Sequence, residues 1–177
     1  MIRHRIFALF ATLAVMASMA LGVAPTASAT VSGVTCVVGT THVTYSPGLQ
    51  NKPRSVHFTE NDRYTGCTSS DATIKTGETF SSFTTVLSCT QLLHTGTAPN
   101  PITWNNGQTS NLLLNFAATF VSGQVILTGT GTVTDGEFKG DSAKVVLTYA
   151  QPNALQCDSQ QGLTSQSGTA TVAINGS

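Results

Sequence analysis

Apolar and polar side chains alternate along this chain with a period of two, most regularly between Gln124 and Ala150. Over residues 124–135, Val125, Leu127 and Val133 share one side with Gly129 and Gly131, while Thr128, Thr130, Thr132 and Thr134 hold the other. Residues 142–150 repeat the arrangement, with Ala143, Val145, Leu147 and Tyr149 opposite Lys144, Val146 and Thr148. Thr and Val lose rotamer freedom in a helix and pack well on a pleated surface, so the pattern predicts two strands with one buried face. The turn between them runs through Asp135, Gly136 and Asp141. A hairpin cannot hide its apolar face alone, and the rest of the chain must cover it.

The same reading extends outward. Val43 and Tyr45 alternate with Thr residues up to a Pro47-Gly48 turn, and Val56 and Phe58 share one face of a strand over residues 55–60. Asn61-Asp62 then reads as a turn, followed by brief strands over residues 63–68 and 72–76. Residues 80–93 carry apolar side chains at both parities, which predicts a bulge or burial on both faces. Pro99 and Pro101 lack the donor an interior strand needs, so residues 94–101 are expected to be a surface connection. Asn106-Gly107 predicts a tight turn before Leu112, Leu114, Phe116, Ala118 and Phe120, the cleanest amphipathic run. Ser122-Gly123 turns it back, residues 151–162 form a polar loop, and Ala170, Val172 and Ile174 line a last strand. About nine short strands without helical periodicity predict an all-β fold, an antiparallel β-sandwich of immunoglobulin-like or related Greek-key topology. Cys89, Trp104 and Cys157 follow the order of the immunoglobulin fold, but Leu155 stands where its tyrosine corner would be.

The N-terminus changes the picture of where this fold lives. Arg3 and Arg5 precede an apolar run over residues 6–23, and Ala27-Ser28-Ala29 offers small residues for cleavage. A signal peptide over residues 1–29 and a single domain over 30–177 are expected, against the alternative of a retained anchor. The product is then secreted and extracellular, free of the membrane after cleavage. Without Arg3 and Arg5, six basic side chains face eight acidic ones, a net charge of −2. No basic stripe remains to release counterions from a phosphate backbone, which argues against nucleic acid. All four cysteines, Cys36, Cys67, Cys89 and Cys157, fall in the exported part, where thiols oxidise. Of three possible pairings, Cys36 with Cys67 and Cys89 with Cys157 is favoured, because neither loop then threads the other. A cysteine metal site is the competing reading, but no C-x-x-C pair exists.

Candidate chemistry is sparse. No Gly-x-Ser-x-Gly elbow occurs, and His42, His57 and His94 lie outside any zinc-binding His-Glu-x-x-His run. Glu60 and Asp62, beside the expected turn, read as solvated residues. Asp135, Glu137 and Asp141 could gather around calcium, but they lack the spacing of a calcium loop, and no metal or cofactor is expected. The best binding candidate is Trp104 with Asn105, Asn106 and Gln108, a flat aromatic face beside amides that suits a sugar ring or a partner's rim. The competing role for Trp104 is a core lid. Tyr45, Tyr64 and Tyr149 could join the patch, although alternation puts Tyr149 with the core.

Residues 44–49 (Thr-Tyr-Ser-Pro-Gly-Leu), 103–109 (Thr-Trp-Asn-Asn-Gly-Gln-Thr) and 129–141, with the four cysteines, resemble those of a family of small secreted actinobacterial two-disulfide all-β proteins of unknown function. The resemblance spans nearly all of residues 34–174 and implies fold and secretion, with no activity attached. The expectation is a monomeric, non-enzymatic binding or structural module whose partner is an extracellular protein or a glycan. Two alternatives stand beside it. A small secreted hydrolase would show a pocket holding a buried acid or His, and a protease inhibitor would present residues 94–101 as a rigid loop after Cys89.

Overall fold

The alternation is realised as eight strands of one antiparallel sheet that closes on itself. The computed structural model describes residues 32–91 and 95–176. The expected signal segment with its cleavage point after Ala29, the anchor alternative, and His94 lie outside the described residues. In chain order the strands are β1 (Gly33–Leu49), β2 (Arg54–Ser69), β3 (Gly77–Leu87), β4 (Gly96–Trp104), β5 (Thr109–Val121), β6 (Gln124–Gly136), β7 (Ser142–Ala150) and β8 (Leu163–Asn175). Each pairs with the next, and β8 returns to pair with β1, giving a closed up-and-down barrel.

This overturns the expected β-sandwich of about nine strands. The alternation says which side of each strand is buried, but a closed sheet and two packed sheets both use that one-sided burial. Closure is decided by β1, which pairs with β2 along one edge and β8 along the other. A register shift between Cys36 and Thr40 bends it, as bulges do where barrels curl. The strand count falls because β2 runs unbroken through Asn61-Asp62, where a turn was expected. The segment after Cys89 is also corrected, since residues 96–104 form β4 and not a surface connection. The central hairpin and the meander β5-β6-β7 lie where alternation put them. Their tight turn has Ser122 at φ 49° and Gly123 at φ 78°, the positive pair that matches strand twist in a two-residue hairpin.

An eight-stranded barrel leaves an interior just wide enough for side chains to fill or for one small ligand. One end is filled by Ile102, Trp104, Ile74, Val133 and Phe138, the other by Leu49, Leu87, Val125 and Leu163. Gly77 makes room for the indole: a Cβ there would lie 2.6 Å from Trp104 Cε3. The disulfides join Cys36 to Cys67 across β1 and β2, and Cys89 to Cys157 between the β3–β4 connection and a short helix, α1 (Ala154–Asp158). Such bonds are kept in oxidising compartments. No helix among the described residues is long and apolar enough to cross a membrane.

One seam is incomplete. β3 pairs with β2 along its whole length, from Gly77 to Leu87. With β4 it pairs at Gly77↔Trp104 and Glu78↔Thr103 alone, although β4 runs on to Gly96 and pairs with β5 throughout. Pro99 and Pro101 share a parity, so the donors they lack belong to one edge of β4. Pairing with β5 is intact, which places the missing donors on the β3 side. Phe83 illustrates the result. It has inward parity, yet is 39% exposed because the wall beside it is open.

Candidate functional site

The open seam leads to a polar layer inside the barrel. Period two along β2 sends Val56, Phe58, Glu60, Asp62 and Tyr64 inward together, so two carboxyl groups enter an otherwise apolar interior. Glu60 is 8% exposed and Asp62 0%. Register brings Thr41 of β1 opposite Asp62, and Thr79 of β3 opposite it on the other side. From β7, the Tyr149 hydroxyl donates to Glu60 Oε1 at 2.7 Å and lies 3.0 Å from Thr41 Oγ1. Tyr64 Oη donates a long bond of 3.4 Å to Asp62 Oδ2. Tyr45 Oη turns instead to Gln166 Oε1, at 3.2 Å.

Burial dominates the electrostatics. Removing a carboxylate from water disfavours its charged form. Glu60 is pushed up from 4.5 to about 8, first by burial, then by neighbouring Asp62, against the opposing pull of the Tyr149 hydroxyl. Asp62 rises from 3.8 to about 6 through burial, partly offset by the Thr41 and Tyr64 hydroxyls. Tyr45, Tyr64 and Tyr149 are raised too, burial leading in each case and Glu60 or Asp62 adding to it. The ion pairs among the described residues are Arg63–Glu78 and Lys139–Asp135, both on exposed side chains, so no cation of the described chain neutralises the pair. Among the described residues, Asp62 Oδ1, Thr79 Oγ1 and Asn100 Oδ1 are buried and find no hydrogen-bond partner, a costly condition inside a barrel.

Glu60 is reached from outside. A cavity of about 50 Å³ lies against it, lined by Phe58, Phe83, Asn100, Phe116 and Leu127 with Ala98 and Pro99 at the seam. Gly129 leaves the space that the Phe116 ring fills, since a Cβ there would lie 2.5 Å from Phe116 Cε1. Outside it, a groove of about 620 Å³ follows the seam between Phe80, Phe83 and Thr85 on β3 and Thr97, Pro99 and Pro101 on β4. The arrangement is an apolar, aromatic entry ending on an acid and an amide.

The residues singled out from sequence fall elsewhere. Trp104 is 2% exposed, donates from Nε1 to Ser110 Oγ at 2.8 Å and meets the Phe138 ring edge-on at 6.2 Å, so its face packs inside the barrel. Asn105 accepts from the Lys75 and Thr76 amides and donates to the Thr73 carbonyl. Asn106 donates to Asp71, Thr73 and Gln108, and Gln108 donates to Glu137 at 2.9 Å. These amides stitch the 71–76 loop to the β4–β5 turn. The calcium candidates separate: Asp141 accepts from Ser32 at 2.6 Å, Asp135 pairs with Lys139, and Glu137 holds Gln108. No group of three or more potential metal ligands occurs among the described residues. His42 and His57 meet Ser167 and Ser82 on exposed faces.

Glu60 and Asp62 are thus the functional candidates that sequence reasoning set aside as solvated turn residues. The signal was present: Val56, Phe58, Glu60, Asp62 and Tyr64 are one unbroken parity. Asn61-Asp62 is also a common turn pair, and that chemistry masked the continuation. The Asn100, Phe83 and Phe116 walls come from three other strands, and only the barrel register brings them to Glu60.

Fold and site together define an up-and-down β-barrel with an internal acidic pair beneath a lateral opening. Comparison with family models, curated proteins and solved structures finds no match to this chain.

Proposed function

We propose that this protein is an exported, non-enzymatic binding module that takes a small ligand through the β3–β4 seam into the barrel interior. The observation that carries the reading is the conjunction of an open seam with aromatic walls and the buried polar groups of Glu60 and Asn100 at its end, with Asp62 behind Glu60 in the interior. Pockets that bind small molecules combine apolar walls with a few convergent polar groups. The two disulfides support an extracellular setting. The outward Thr128, Thr130, Thr132 and Thr134 of β6 and Ser142, Lys144 and Thr148 of β7 support a barrel surrounded by water, since a membrane barrel turns its apolar residues outward. Amide-detected NMR with a library of small aromatic compounds tests the reading. Shift changes concentrated at Phe58, Phe83, Ala98, Asn100 and Phe116 are expected, and changes scattered over the outer faces would contradict it.

A second reading rests on one specific observation: the pocket holds a buried acid, the feature expected of the hydrolase alternative. Glu60, carrying its proton near neutral pH, would serve as general acid and Asp62 as its ionised neighbour. Turnover of an ester or glycoside that vanishes in Glu60→Gln would establish it in place of the binding reading. The inhibitor reading loses its loop, because residues 96–101 belong to β4.

A further inference from the structure

Resting on the reading of the interior as a binding site, we propose that its ligand is a primary amine, bound as the ammonium, with a short aromatic or branched apolar tail. Three features of the chain converge on that chemistry. First, the groups left unsatisfied at the end of the entry are acceptors. Asn100 Oδ1 on the cavity wall finds no partner among the described residues, Glu60 is engaged at Oε1 by a single phenol, and one layer deeper Asp62 Oδ1 is also unpaired beside the Thr79 hydroxyl. An ammonium carries three donors and no acceptor, so it satisfies such a set without creating a new unpaired group. A carboxylate or phosphate would instead add a further buried negative charge beside the two acids.

Second, two acids occupy the interior with no cation facing them among the described residues. The groups around Glu60 are Asp62 and Tyr64 on its own strand, Tyr45 and Thr41 on β1, and Tyr149 on β7. All are acidic or neutral. Isolated buried charge is expensive, so the free protein holds protons where a ligand cation would replace them.

Third, the entry is graded. The cavity against Glu60, about 50 Å³, has room for a head group beside the rings of Phe58, Phe83 and Phe116, and the seam outside it is walled by Phe80, Phe83 and Pro99. Phe58 and Phe83 already pack tilted at 33° with centroids 4.8 Å apart, an aromatic wall for a ligand ring or for a cation passing over it. A tail longer than the seam would leave along the 620 Å³ groove beside Phe80 and Pro101.

The test uses the disulfide-bonded protein and three probes of one shape: 2-phenylethylamine, 2-phenylethanol and 3-phenylpropionate. Calorimetry near pH 7 should show the amine binding at least tenfold more tightly than the alcohol, with no heat from the carboxylate. Repeating the amine titration in buffers of different ionisation enthalpy should show proton release, because the ammonium draws an acid into its charged form. Glu60→Gln, checked for native circular dichroism, should cut amine affinity at least tenfold and abolish the preference for the amine over the alcohol. Alcohol or carboxylate binding as tightly as the amine, or amine binding without proton release, would overturn the proposal while leaving a binding barrel standing. Silence from all three probes, together with no NMR response of the seam to the aromatic library, would remove the binding reading itself.

Discussion

At the scale of single residues, the unusual investment is the acid pair. Glu60 moves from 4.5 to about 8 and Asp62 from 3.8 to about 6, so the folded chain keeps protons that the unfolded chain has already released. The contribution is full below about pH 4 and declines as pH rises toward 8, the reverse of ordinary acid denaturation. Urea unfolding should show a loss on the order of a few kcal/mol between pH 4.5 and pH 8.5 from this pair. Glu60→Gln should flatten that slope and be more stable than the wild type at pH 8.5. A stability that rises over the same interval in the wild type would contradict the burial of the pair. Trp104 gives a second prediction: truncation to Ala should cost about 3–5 kcal/mol. Ser110→Ala, which strands the indole N–H, should cost about 1–3 kcal/mol. What sequence showed of these residues was uneven. Trp104 presented both of its roles, core lid and binding face, and its buried partners decide between them. Glu60 and Asp62 were hidden because a polar residue on an inward parity looks like a strand end until the strand is known to continue.

At the scale of elements, the β3–β4 seam departs from a complete ladder. The cause is legible in the chain, since Pro99 and Pro101 remove two donors at one parity. Reading them as a loop was the wrong consequence of the right chemistry: an edge can lose its donors while the strand remains paired on its other side. The mixed parity of residues 80–93 has a related origin, with Phe83 facing the entry and Phe80 and Val86 the outside, at 63% and 62% exposure. Hydrogen exchange should find alternate amides of β3 beyond Glu78, those turned toward β4, exchanging far faster than their neighbours turned toward β2. Uniform protection along β3 would mean that the seam is closed in solution. Gly77→Val should be destabilising by about 1–3 kcal/mol or more, because its side chain must displace the Trp104 ring.

At the scale of the molecule, alternation, turns and cysteines revealed strand content, the meander and the favoured disulfide pairing, and left closure undetermined. A pattern of period two describes one face of each strand. Whether the first and last strands meet depends on twist, on the bend in β1 between Cys36 and Thr40, and on pairing across residues far apart in sequence. The disulfides then hold the barrel at both ends, closing sequence separations of 31 and 68 residues. In the chain-entropy picture each contributes about 4 kcal/mol, so replacing either cysteine pair by alanines should lower the unfolding free energy by roughly that amount. The barrel, its lateral opening and the acid pair depend on one another, because a complete seam would seal Glu60 from any ligand. A direct measurement of that interior is the side-chain carboxyl ¹³C titration of Glu60 and Asp62 in the oxidised protein. Enclosure in the barrel predicts a pair that titrates well above the ordinary carboxylate range, with Glu60 still protonated at neutral pH. Both groups titrating near 4 would place them in water and contradict it.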